Sequence, residues 1–222
     1  MNKTLITLLK TAVASATFAA VGAQAQLVGD INAGLARAAM CIGCHGIPDY
    51  RNSFPQIHRV PMISGQSEQY ILAALQAYQK GERRHPTMRG IAGGLTEQDM
   101  ANLAAFYAQH NGNVQAPETP PRAPNAVVAA LLDRGACISC HGANFSSPTD
   151  PSWPKIGGQH ADYLFVSLKS YWVEGNDVIG RSNPMMRSIV SQFTLQELRL
   201  MANYIATVPG ELATVPQGGL RR

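Results

Sequence analysis

All four cysteines of this chain fall in two copies of one pentapeptide, Cys41-Ile42-Gly43-Cys44-His45 and Cys137-Ile138-Ser139-Cys140-His141. Cys-x-x-Cys-His is the attachment signature of a c-type haem, in which two thiols form thioethers with the vinyl groups and the adjacent imidazole binds the iron. Cysteines three apart lie on one face of a helical turn, and the next residue is rotated so that its side chain reaches the metal from beside the ring. A single Cys-x-x-Cys could be a redox pair, and two could build a Cys₄ zinc site. A redox pair does not need the histidine that stands at the same place in both copies, and a zinc ribbon joining knuckles 96 positions apart would be unusual. The motifs therefore predict two covalently attached haem c groups, one on Cys41, Cys44 and His45, the other on Cys137, Cys140 and His141. With every thiol committed, no disulfide, spare nucleophile or thiolate axial ligand is left.

An internal repeat extends outward from the motifs. Pro61-Met62-Ile63-Ser64-Gly65-Gln66, followed by Tyr70, Leu75 and Tyr78, returns 93 residues later as Pro154-Lys155-Ile156-Gly157-Gly158-Gln159, Tyr163, Leu168 and Tyr171. Met88-Arg89-Gly90-Ile91 and Thr96 return 98 residues later as Met186-Arg187-Ser188-Ile189 and Thr194, the drift being small loop insertions. Between the halves, residues 111–126 carry prolines at 117, 120, 121 and 124 and read as an extended, semi-rigid linker. The expected organisation is a first domain at 26–110, the linker at 111–126 and a second domain at 127–222. Each half is long enough for one small core around a buried prosthetic group.

The pattern is helical, without a convincing strand alternation. Helices are expected at 33–44 and 126–140, delivering the Cys-x-x-Cys-His motifs, and at 67–79 and 161–173, each stopping near a glycine, Gly81 and Gly175. The last helix of each half begins with Thr96 to Asp99 or Thr194 to Glu197, both reading as capping boxes. The intervening segments are expected to be long loops that wrap the haem.

A haem with one histidine needs a partner on its other face, and that partner decides between carrying electrons and doing chemistry. Met88 and Met186 both stand eight residues before the capping threonine of a last helix, and this symmetry selects them as the distal axial ligands of the iron. Met185 has Thr87 in its place in the first half and is the rival to Met186; His85 is the rival to Met88 but has no counterpart. Met100 and Met201 read as core residues, His160 as a surface or capping residue, and His58 and His110 as exposed loop residues. A thioether raises the reduction potential relative to a second imidazole and denies the sixth position to oxygen or peroxide. The expected site is an electron relay, not an enzyme's open iron. Pro61 and Pro154 mark loops where a carbonyl could accept the proximal ring N–H.

The first 25 residues read as a secretory signal: Lys3 and Lys10, a weakly apolar stretch, then Ala23-Gln24-Ala25 as an A-x-A cleavage site. The uncharged stretch is too short to span a bilayer, which takes about 20 residues, so a periplasmic protein is expected. The formal charge of +4 falls to +2 without Lys3 and Lys10, and two haems would add four propionates. Arg83-Arg84 and Arg221-Arg222 are then solvated surface, not a nucleic-acid patch.

The paired Cys-x-x-Cys-His motifs, the Pro-x-Ile-x-Gly-Gln segments and the Met-Arg-Gly/Ser segments ahead of Thr-x-x-Asp/Glu helices resemble the dihaem cytochrome c4 family of class I cytochromes, over almost the whole mature chain. The resemblance implies an all-α protein of two tandem class I cytochrome c domains in a pseudo-two-fold relation, each wrapped around one haem. It pairs His45 with Met88 and His141 with Met186. Members are periplasmic electron carriers, many loosely associated with the membrane, that pass electrons toward terminal oxidases. The expected function is single-electron shuttling between a respiratory donor complex and a terminal oxidase or other acceptor; the alternative is the cytochrome subunit of a periplasmic dehydrogenase. The chain departs from the family pattern at 47–60, a long insert between the first motif and Pro61, which reads as loop filler ahead of the alternatives of a shield over a haem edge or a partner surface.

Overall fold

A computed structural model describes residues 27–110, 114 and 122–216. The expected signal peptide, most of the expected linker and Arg221-Arg222 lie outside the described residues.

Two helical units repeat one plan. The first contains α1 (Ile31–Arg37), α2 (Ala39–His45), α3 (Glu68–Gln79), α4 (Pro86–Gly93) and α5 (Glu97–Gln109); the second contains α6 (Ala126–Arg134), α7 (Cys137–His141), α8 (Ala161–Ser170), α9 (Pro184–Val190) and α10 (Leu195–Thr207). In the first, α1 and α3 pack on α5; in the second, α6 and α8 pack on α10. Each last helix supplies much of the core, with Met100, Leu103 and Phe106 buried in one unit and Leu198, Met201 and Ile205 in the other.

Both expected capping boxes form. Thr96 Oγ1 accepts the Asp99 N–H while Asp99 accepts the Thr96 N–H, and Thr194 and Glu197 do the same, satisfying free amides at each helix start. The acidic partner also receives an arginine from the last turn of the unit's first helix, Arg37 on Asp99 at 2.8 Å and Arg134 on Glu197 at 2.7 Å. The first and last helices of each unit are thereby pinned at a second point beyond their apolar contact.

The haem-motif helices differ from the expectation of one unbroken helix each. The first divides at Ala38, where the Cys41 N–H bonds back to the Ala38 carbonyl in a tightened turn. The second breaks at Gly135 and Ala136, the latter in the left-handed region at φ 47°. A side chain on Gly135 would press within 3.1 Å of Cys137 Sγ and 3.2 Å of the Phe193 ring. The break re-aims the motif at no cost to the apolar pattern, so periodicity could not reveal it.

Met88 and Met186 sit on the short helices α4 and α9, not in the loops expected. Pro86 and Pro184 take the first helical position, where their fixed φ suits a helix start and no N–H is missed.

The 47–60 insert is not filler. It forms an antiparallel hairpin of β1 (Arg51–Asn52) and β2 (His58–Arg59) lying on α8 of the other unit. Arg59 bonds Asp162 through Nε and through its backbone N–H, both at 3.2 Å, and Lys169 Nζ reaches Gln56 Oε1 at 3.1 Å. His58, expected to be exposed, is 5% exposed, its ring 6.3 Å from that of Tyr163. A second ladder joins the units directly, β3 (Arg83–Arg84) pairing antiparallel with β4 (Gly180–Arg181). The two repeated glutamines complete the contact, Gln66 bonding the backbone of Lys155 and Gln159 that of Met62.

Candidate haem sites

One continuous cavity of about 1010 Å³ runs between the units and is lined by both motifs. Cys41, Cys44, His45 and Met88 line its first half and Cys137, Cys140, His141 and Met186 its second. Apolar side chains surround them, Ile71, Leu75, Ile91 and Leu103 in one half, Ile156, Leu164, Leu168 and Ile189 in the other.

Both histidines are oriented alike. His45 Nδ1 lies 2.9 Å from the Pro61 carbonyl and His141 Nδ1 lies 3.0 Å from the Pro154 carbonyl. A carbonyl only accepts, so each Nδ1 carries the proton and each Nε2 presents its lone pair. Burial pushes both imidazoles below their ordinary pKa, against a smaller opposing effect of the carbonyls. Each is then neutral near pH 7, the form that ligates a metal. Burial also raises the thiols of Cys41 and Cys137, the latter to about 11.

The methionines repeat the same symmetry. The N-cap residues of α4 and α9 face the methionine amides, His85 Nδ1 at 3.5 Å from the Met88 N and Asn183 Oδ1 accepting the Met186 N–H at 2.9 Å. His85 Nε2 in turn lies 2.9 Å from the Asn52 amide, so both of its ring nitrogens face protein partners. Met185 is half exposed, whereas Met186 packs against the second core.

Arg83 is not the solvated surface residue expected, because it meets Arg181 of the other unit. Directly opposed in the β3–β4 ladder, they lie among the repeated tyrosines. Arg83 Nη2 donates to the Tyr70 hydroxyl at 3.0 Å, and Arg181 Nη2 to Tyr163 at 3.1 Å and to Ser167 at 2.9 Å. Like charges facing across a ladder destabilise it, and among the described residues neither guanidinium has a carboxylate within ion-pair distance. The repeat held the signal, since Arg83 and Arg181 share the 98-residue offset of Met88 and Met186.

The donor set fits a covalently attached haem in each half: two thiols, an imidazole with Nε2 available, a thioether and an apolar enclosure. The two uncompensated arginines at the cavity wall suit the carboxylates that such a group carries.

The cytochrome c family model matches residues 127–209. A cytochrome c4 of Azotobacter vinelandii is 31% identical over 223 residues, covering 92% of this chain and 98% of its own. A thiosulfate dehydrogenase electron acceptor of Thiomonas intermedia (strain K12) is 28% identical over 182 residues, covering 78% of this chain and 80% of its own. The crystal structure of reduced recombinant cytochrome c4 from Pseudomonas stutzeri matches with a TM-score of 0.60 at 26% identity, over 82% of this chain and all of that one.

Proposed function

Since this chain belongs to the cytochrome c4 family, whose members are electron carriers and not enzymes, we propose that it is a periplasmic dihaem shuttle passing single electrons from a respiratory donor toward a terminal oxidase. Each haem, when bound, supplies an iron that changes oxidation state by one electron. The residues do the rest. Cys41, Cys44, Cys137 and Cys140 would hold the groups covalently, His45 and His141 would each give the iron an imidazole, and Met88 and Met186 would each give it a thioether. The observation that carries this reading is the twofold occurrence, in one cavity, of two thiols, a carbonyl-oriented imidazole and a cavity-lining methionine. Two closed iron sites favour outer-sphere electron transfer over bond chemistry.

Haem quantification together with a mediated redox titration tests the proposal. Two covalently bound haems per chain and two one-electron waves, with low-spin spectra in both oxidation states, are expected; a substantial high-spin fraction in the oxidised protein would instead indicate an open, peroxidase-like iron. A second reading, the cytochrome subunit of a periplasmic dehydrogenase, is favoured by the likeness to the thiosulfate dehydrogenase electron acceptor. Purification from the native host separates the two, since that reading requires a stoichiometric catalytic partner.

A further inference from the structure

The peptide bond that orients each proximal histidine is also held by the opposite domain. His45 donates its Nδ1–H to the Pro61 carbonyl at 2.9 Å, and the N–H of that same peptide, on Met62, is donated to Gln159 Oε1 at 3.1 Å. Gln159 Nε2 returns a bond to the Met62 carbonyl at 2.8 Å. The mirror arrangement runs from His141 to the Pro154 carbonyl at 3.0 Å, from the Lys155 N–H to Gln66 Oε1 at 2.9 Å, and from Gln66 Nε2 to the Lys155 carbonyl at 2.9 Å. Both glutamines are almost fully buried, Gln66 4% and Gln159 3% exposed. Each Oε1 also accepts the next backbone N–H, Ser67 or His160, at 3.0 Å. With two amide donors on one atom, that atom is the oxygen.

A peptide group is a single conjugated unit, so an acceptor drawing on its N–H increases the negative charge on its carbonyl oxygen. A stronger carbonyl acceptor draws harder on Nδ1–H and makes the imidazole a better donor through Nε2. Greater donation stabilises the oxidised iron and lowers its potential. We propose that Gln159 and Gln66 are positioning residues that act in a crossed sense, each tuning the proximal histidine of the other domain through one peptide bond. The proposal rests on the reading of His45 and His141 as iron ligands.

Per-haem potentials of the full-length holoprotein, followed by NMR during redox titration, test it in Gln159→Leu, Gln66→Leu and Gln159→Glu. Gln159→Leu should raise the potential of the haem on Cys41 and Cys44 and leave the other unchanged, and Gln66→Leu should do the reverse. Gln159→Glu keeps and strengthens the acceptor, so it should lower the first potential, and it carries the test if a leucine variant does not fold. The shift should be a several-fold change in the reduced-to-oxidised ratio at fixed potential, where tenfold is about 59 mV for one electron. Both potentials moving together, a shift in the variant's own domain, or no shift would overturn the proposal and leave the ligand reading standing. A parent protein without a low-spin histidine–methionine spectrum would overturn both.

Discussion

Met88 and Met186 are expected to give the near-infrared sulfur-to-iron absorption in equal parts. Replacing either with Ala should remove about half of that band, while Met185→Ala, at a half-exposed position, should leave it whole; an intact band in Met186→Ala would move the ligand to its neighbour. That the cysteines, histidines and these methionines line one cavity was legible because the pentapeptide fixes the spacing of the first two and the repeat fixes the equivalence of all three. Arg83 and His58 were misread for a common reason. What buries them is remote in sequence, Arg181 and Tyr163 respectively, and a short basic run looks the same whether it meets water or a second domain.

Among the elements, α1 crosses α5 closely at a glycine. A Cβ on Gly34 would overlap the Asn102 carbonyl oxygen and lie 2.7 Å from the Phe106 Cβ. Gly34→Ala therefore sets a gain in helix propensity of about 1 kcal/mol against overpacking of about 1–3 kcal/mol. Backbone cannot move aside as a flexible side chain can, so the steric cost should lie at the upper end of that range and win, with a net loss of up to about 2 kcal/mol. Thermal unfolding of the holoprotein would show it as a lowered midpoint, and a midpoint at or above the parent's would mean the helices can separate freely. The capping boxes announced α5 and α10, whereas α4 and α9 passed as loops. They are only seven or eight residues long, and one is capped by a histidine, so the proline at each first position is the one marker the two share.

At the scale of the whole molecule, the insert hairpin makes Asp162 a tie between the units. Burial pushes its carboxyl up, but the hydrogen bonds and charge of Arg59 outweigh that and hold it below the usual carboxylate range. A depressed folded value adds stability that is fully present above the unfolded pKa of about 3.9 and is lost as pH falls through the folded value. With both side chains partly exposed, the tie is worth about 1 kcal/mol or less. Asp162→Asn should unfold earlier than the parent at neutral pH, and the gap should close below about pH 4; a gap independent of pH would assign the loss to packing. No sequence pattern could show this contact, because its partners are 103 residues apart. The glutamine docking has its own consequence for how far the two halves can diverge. In a symmetric homodimer every substitution enters the interface twice, but in a fused tandem each copy varies alone. Gln66 and Gln159 grip only main-chain atoms of Lys155 and Met62, so their hold does not depend on which side chains stand there. One copy holds a thioether and the other an ammonium that reaches Gly65 and Glu211, a divergence in charge and chemistry that leaves the handshake itself unaltered.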